Sequence, residues 1–303
     1  MSVVDFHAHF FSRVFFETLA AQSAQPGTVE ERLARVVAKT GIELPSADVA
    51  VHTARWIGEL DRHGVDHMCA FASVPEEIPV LAQAGALSKG RITPFALVNP
   101  TVAGVADKVR VLLAEKGFRG VLLFPALHHF HIGGPEAEPL LAVLEQHRAI
   151  AYVHCGALVV KLRDLLGVPT PADVSFANPL ALVAPARAHP NVRFVIPHFG
   201  AGLLRETLFA GRSAPNIFVD TSSSNSWAAT HEPKLTLLEV FRHALEEFTP
   251  QRILFGTDSN VFPAGWRADR RDEQLAVLRD LRLAPADIEA ITAGNARRLL
   301  ALT

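Results

Sequence analysis

Eight short apolar runs constrain this chain more than any other feature: Val3 to Phe6, Val65 to Ala72, Ile92 to Val98, Gly120 to Phe124, Ala149 to Val153, Val192 to Ile196, Ile217 to Val219 and Arg252 to Phe255. Strands covered on both faces of a parallel sheet read as continuous runs of Val, Ile, Leu and Phe, because neither face meets water. The stretches between most of the runs have helical spacing, as in PLLAVLEQH from Pro139 to His147. Strand alternating with helix implies right-handed β/α units, and eight such units close a (β/α)8 TIM barrel. At 303 residues the chain exceeds the ~250 that such a barrel needs and leaves room for insertions. An open doubly wound sheet is the competing arrangement. No Gly-, Ser- or Pro-rich stretch is long enough to act as a linker, so residues 1–303 read as one domain. The first crossover, Phe10 to Ala50, is far longer than a usual connection. It carries a helical stretch from Val29 to Ala38 and reads as a lid or a subunit contact. Two amphipathic stretches between Asp272 and Leu302 read as helices packed on the barrel.

Composition narrows the function. Hydrophobic residues make up 49% and charged residues 20% of the chain, which excludes disorder. The 29 basic and 31 acidic residues give a net charge of −2, so there is no global positive field to hold a nucleic acid. Two cysteines, Cys69 and Cys155, build neither a disulfide framework nor a four-thiolate zinc site. Asp5, His7 and His9 stand where a signal peptide needs an apolar core, and no run approaches the length of a membrane span. The expectation is a soluble cytoplasmic protein with a small-molecule substrate and no membrane or nucleic-acid partner.

Polar residues fall at the ends of these apolar strands. In barrel enzymes the carboxyl ends of the strands carry the chemistry, whereas a polar side chain inside a strand has to find a partner in the core. The first strand runs into DFHAHF, and period 2 sends His7 and His9 to one face. The fifth, sixth and eighth strands end in AYVHCG with His154, FVIPHFGAG with His198 and ILFGTDSN with Asp258. Any one of these taken alone is a weak signal, and a lone histidine beside an apolar run reads as a packed, hydrogen-bonded core residue. Together, imidazoles and a carboxylate converging on one barrel end make a donor set suited to Zn²⁺ and acceptable to Mn²⁺. Asp5 has the parity of His7 and His9 one layer deeper and reads as a hydrogen-bond partner for a ligand imidazole. Cys155 points away from His154 and reads as an inert packed thiol. After strand four, His128, His129 and His131 lie on a loop over the mouth, with His131 placed to touch substrate. Trp266 and Arg267 follow strand eight, where an arginine fork suits a substrate carboxylate. Ser222, Ser223 and Ser224 follow strand seven without a GxSxG elbow and read as polar lining.

Seven motifs, DFHAHF (5–10), GELDRHGVDHM (58–68), GFRGVLLFP (117–125), VHCG (153–156), HPNVRFVIPHFGAG (189–202), ILFGTDSN (253–260) and GNARRLL (294–300), together resemble the amidohydrolase superfamily. The resemblance is to its amidohydrolase-related group, which includes aminocarboxymuconate semialdehyde decarboxylase. It implies His7, His9, His154 and Asp258 as metal ligands, His198 as the catalytic acid/base, and a homodimer. Strand four has no lysine of the kind that bridges two metals in other members, which implies one divalent ion, Zn²⁺ first and Mn²⁺ second. A divalent ion can lower the pKa of a bound water to about 7. The leading reading is therefore hydrolysis of a small carboxylated or cyclic lactone, amide or ester by metal-bound hydroxide, with Asp258 taking the water proton and His198 serving the reacting oxygen. The group's decarboxylases carry basic residues in the first crossover that have no match between Gly41 and Arg55. Non-oxidative decarboxylation of an aromatic or conjugated acid is the alternative. A non-catalytic metal- or ligand-binding barrel comes third, since it gives His198 no task.

Overall fold

The structure is a computed structural model that describes residues 2–302 except Ser223, Ser224 and Ala229, with the side chains of Asn225 and Ser226 also outside the description. Its eight strands lie in sequence order with every pair parallel. They are β1 (Val4–His9), β2 (His67–Phe71), β3 (Ile92–Leu97), β4 (Gly120–Leu123), β5 (Ile150–Val153), β6 (Arg193–Ile196), β7 (Ile217–Asp220) and β8 (Ile253–Leu254). Each coincides with one of the eight apolar runs. The ring closes through a parallel bridge between Ala8 and Ser259, supported by bonds from His9 N to Ser259 O and from Asp258 N to His7 O, at 2.8 and 2.9 Å. This is the TIM barrel expected from the strand and helix alternation. β1 runs three residues past its apolar stretch, so that His7 and His9 belong to the strand itself. β8 is shorter than its run because Phe255 N turns to Ile291 O.

Inside the ring, Phe6, Phe71, Phe95 and Tyr152 are fully buried and pack with ring centroids 4.7 to 6.1 Å apart. This aromatic layer fills the barrel beneath the first-strand histidines, with His7 5.4 Å from Tyr152.

The long first crossover forms three helices, α1 (Arg13–Gln22), α2 (Val29–Thr40) and α3 (Val49–His63). Helix α2 is where the spacing predicts a helix; α1 is an addition. Ser12 caps α1 by accepting from Phe15 N, and Thr28 with Glu31 forms a reciprocal capping box on α2, each such cap being worth ~1 kcal/mol. Phe15, Phe16 and Leu19 of α1 and Leu33 and Val36 of α2 bury against Val74, Leu166 and Val168, at roughly 1.5–3 kcal/mol for each large side chain. Val74 follows β2, and Leu166 and Val168 follow β5, so the crossover folds over the carboxyl-end rim of its own barrel. Gln25 Nε2 donates to Leu165 O at 3.1 Å across the same junction. The two C-terminal stretches are helical over Ala268–Asp280 and from Pro285 to Leu300, with a π-helical turn at Ala290–Gly294. No helix among the described residues is long and apolar enough to cross a membrane.

Candidate metal centre

The last turn of β1 brings His7 and His9 to the barrel mouth with ring centroids 5.4 Å apart. Each imidazole is oriented through Nδ1: His7 by Asp220 Oδ2 at 2.7 Å and His9 by Ser73 Oγ at 2.7 Å. A carboxylate oxygen only accepts, so His7 Nδ1 carries the proton and Nε2 keeps its lone pair, the arrangement found where histidine ligates a metal. Asp258 Oδ1 lies 3.7 Å from His7 Nε2 and 3.4 Å from His9 Nε2. Two donors bonded to one ion at about 2.0–2.2 Å stand roughly 3.0–3.6 Å apart, so this trio has nearly the spacing of a shared divalent ion. Among the described residues, His7, His9 and Asp258 form one tight group of potential ligands, and His7, His198 and Asp220 form a second.

His154 stands outside both groups. It is buried, its ring centroid is 5.3 Å from that of His198, and its Nδ1 has no hydrogen-bond partner among the described residues. A buried, unpaired polar nitrogen costs about 1–3 kcal/mol, and a donor to an ion would relieve that cost. Burial holds His154 well below its ordinary pKa, followed in effect by the His198 and His7 charges, which leaves it neutral and able to donate a lone pair. Burial also lowers His9, to about 4. For His7 burial pulls down, but the charge and hydrogen bond of Asp220 outweigh it and raise the pKa.

Asp220 ends β7 and is fully buried. Its Oδ2 accepts from His7 and from the Tyr152 hydroxyl, while Oδ1 accepts from His198 N at 3.0 Å, Ser222 N at 2.8 Å and the Ser222 hydroxyl. Burial opposes its ionisation, but the His7 charge and hydrogen bond hold the carboxyl far below the usual range. Asp220 is thus the imidazole partner that the sequence reading assigns to Asp5. Asp5 instead accepts from His7 N at 3.0 Å, Thr257 N at 3.1 Å and Trp266 Nε1 at 2.8 Å, tying β1 to the segment that carries Asp258. Burial raises Asp5 to about 6. Trp266 itself is only 2% exposed; anchored on Asp5, it is an interior residue and does not line the mouth.

His198 sits in a tight turn, Pro197–Gly200, where His198 and Phe199 have φ of 56° and 49°. Left-handed backbone at a non-glycine residue costs about 1–3 kcal/mol, and the bond from His198 N to Asp220 helps to hold it. Asp258 is a further such residue, at φ 59°. His198 Nδ1 donates to Ser222 O at 2.9 Å, which leaves the Nε2 lone pair for chemistry. Burial, and then the His7 charge, lower its pKa. Two glycines permit this crowding. A Cβ on Gly256 would come within 2.8 Å of His7 Cβ, and one on Gly156, at φ 73°, within 2.2 Å of Gly200 O.

The remaining candidates lie further out. Arg267 binds Asp269 through paired bonds of 2.8 and 2.7 Å, a half-exposed ion pair that engages the fork expected to meet a substrate carboxylate. His131 is exposed, with its ring 4.6 Å from Phe176, and His129 bonds to Pro171 O. Cys155 is fully buried, and burial pushes its thiol up, as suits a packed residue. Ser222 bridges Asp220 and His198, while Ser223 and Ser224 lie outside the described residues. Aromatic rings flank the site: Phe11 is 5.1 Å from His9 and Phe124 5.1 Å from His154. Asp220 had a signal in sequence, since IFVD ends a strand in a carboxylate as surely as the other strands end in histidine. Ser73 had none, being one serine in a loop.

A closed parallel barrel that gathers imidazoles and carboxylates at the carboxyl ends of its strands is the architecture of a metal-dependent barrel enzyme. The chain belongs to the amidohydrolase family, whose family model matches residues 4–302. Among solved structures it resembles 5-carboxyvanillate decarboxylase from Sphingomonas paucimobilis (14% identity, 100% of this chain and 99% of that chain, TM-score 0.69). It is also similar to a dihydroxybenzoic acid decarboxylase from Polaromonas solved with manganese and 2-nitroresorcinol (17%, 99% and 97%, 0.66). A probable 2-pyrone-4,6-dicarboxylic acid hydrolase from Acinetobacter baumannii is similar as well (16%, 100% and 100%, 0.65). No curated protein sequence matches the chain.

Proposed function

We propose that the protein is a metal-dependent decarboxylase of a hydroxylated aromatic carboxylic acid. The observation that carries this reading is the match along essentially the whole of both chains with two decarboxylases of such acids. The aromatic rings of Phe11 and Phe124 beside His9 and His154 suit a flat ring as substrate. This reverses the order of the two activities expected from sequence, where hydrolysis leads.

In this reading His7, His9, His154 and Asp258 would hold one divalent ion. Zn²⁺, favoured by the donor set, and Mn²⁺, present in the Polaromonas structure, both accept imidazole and carboxylate. When bound, the ion supplies positive charge that draws in the substrate's carboxylate and hydroxyl oxygens. His198, with Nδ1 fixed on Ser222 O, has Nε2 free to take the proton of the ring hydroxyl. The resulting oxyanion pushes electron density toward the carboxyl-bearing carbon. Asp258, beside His7 and His9, holds the proton that this carbon receives. The bond to the carboxyl group then breaks, its electron pair restores the aromatic ring, and carbon dioxide leaves. Solvent returns a proton to Asp258, and His198 returns one to the phenolate, so the net reaction consumes one proton.

Hydrolysis of a lactone is the second reading, favoured by the similarity to the Acinetobacter hydrolase. Protein loaded with Mn²⁺ or Zn²⁺ is assayed on 5-carboxyvanillate, dihydroxybenzoic acids and pyrone lactones, following carbon dioxide and acid release separately. Carbon dioxide from an aromatic acid is the expected result. Acid release from the lactone without carbon dioxide from any aromatic acid overturns decarboxylation.

A further inference from the structure

We propose that Glu77 is a positioning residue for the metal centre, its carboxylate joining the loops after β1 and β2 so that Ser73 is held against His9. The proposal rests on the reading of His9 as a ligand.

Glu77 lies at the end of a short turn, Pro75–Glu77, and is completely buried. Its Oε2 accepts from Ser73 N at 2.7 Å, and its Oε1 accepts from Ser12 N at 2.6 Å and Ser12 Oγ at 2.8 Å. Ser73 Oγ in turn stands 2.7 Å from His9 Nδ1. Ser12 is three residues beyond His9 on the same strand exit. One carboxylate therefore grips the chain on both sides of His9: the strand that carries the imidazole and the loop that carries its hydrogen-bond partner.

The chemistry explains why an acid stands here. Three donors converge on two oxygens, and an ionised carboxylate is the side chain that accepts at both ends and donates at neither. None of the ion pairs among the described residues includes Glu77. A carboxylate without a cation is an expensive group to bury; burial lifts its pKa to about 7, with the bonds from Ser73 and Ser12 acting against that rise. Joining two loops needs no such group. Fixing an imidazole through a serine whose own backbone must not drift gives that expense a purpose. An amide in its place would keep the two bonds from Ser12 on its oxygen and turn its NH2 toward Ser73 N–H, releasing Ser73.

The test uses metal-stripped full-length protein at pH 8, where the carboxyl is ionised, titrated with Mn²⁺ by calorimetry and with Co²⁺ by visible absorption. Substitutions one step removed from a ligand typically weaken metal binding 10–100-fold. Glu77→Gln is expected to raise the Mn²⁺ Kd about 10-fold or more and to alter the Co²⁺ spectrum. The double variant Glu77→Gln/Ser73→Ala should bind no more weakly than Ser73→Ala alone, because both changes break the same link. Glu77→Asp, which keeps the charge but is too short to span both loops, is the second variant and should behave like Glu77→Gln. Native Kd and spectrum in both Glu77 variants overturn the proposal. So do additive losses in the double variant, which a purely structural role would give. His9→Ala separates the two layers. If it binds metal like the native protein, the ligand reading falls and the proposal with it; if it loses metal while the Glu77 variants do not, the proposal alone falls.

Discussion

Asp220→Asn is the substitution that tests the centre most directly. The side chain keeps its shape, but one oxygen becomes an amino group. Oδ1 serves three donors, His198 N, Ser222 N and Ser222 Oγ, whereas Oδ2 serves His7 Nδ1 and the Tyr152 hydroxyl. The amide oxygen therefore settles on the Oδ1 side, and NH2 faces His7. Two consequences follow. A charge-assisted bond of 2.7 Å is lost, at about 1.5–3 kcal/mol. The imidazole is also driven to the tautomer with its proton on Nε2, the atom that faces Asp258. If that free energy appears in metal binding, the Kd rises about 10- to 150-fold. Calorimetric titration of the metal-stripped variant with Mn²⁺ measures it, and urea unfolding of the same samples reports stability separately. A Kd within twofold of the native value, in a variant that remains folded, would show that Asp220 does not orient a ligand.

Elemental analysis should find one divalent ion per chain, with occupancy lowered by His154→Ala or Asp258→Ala and retained in His128→Ala and His129→Ala; two tightly held ions would overturn the single-ion reading. His198→Ala should keep its metal while turnover falls by about 10²–10⁴, the contribution of a positioned proton acceptor; loss of the metal would make His198 a ligand. Burial holds His67 neutral down to about pH 4, with its ring bonded to Gly90 O and Thr93 Oγ1. The unfolded chain protonates near 6.5 and so binds more protons in that window; stability then falls as pH drops from 6.5 to 4, by up to about 3 kcal/mol. The urea midpoint of His67→Gln should show a correspondingly flatter slope across this range, and an unchanged slope would remove His67 as its cause.

The barrel was legible because every strand is buried on both faces and so wrote itself as an apolar run. The strand ends were less legible. β1 continues through His7 and His9, with its pairing register shifted between Asp5 and Ala8, where hydropathy reports a stop. That His7, His9 and Asp258 meet at one barrel end is legible from position, since a polar group at the end of an apolar strand must find either water or a partner; a ligand role for them is implied only by the family resemblance. What escaped was the choice of partner. Asp5 and Asp220 are both acids at barrel strands, and only the fold shows that Asp5 faces Thr257 and Trp266 while Asp220 faces His7. Trp266 is illegible for a related reason: its position after β8 places it near the mouth in sequence, but its indole N–H finds the Asp5 carboxylate in the core. Helix α1 is not legible locally because its phenylalanines bury against Leu166 and Val168, residues whose proximity no local spacing reports.

The aromatic layer formed by Phe6, Phe71, Phe95 and Tyr152 makes the barrel a vessel with a sealed base. On the proposed reading, substrate and products would pass the same rim, over which α1 and α2 are folded. Under the decarboxylation proposed above, carbon dioxide and a flat ring would form together and would have to leave in turn, the small product slipping past the larger. On that reading the ring product, still seated, would occupy the place the next substrate needs, and turnover would be governed by how readily the rim lets go.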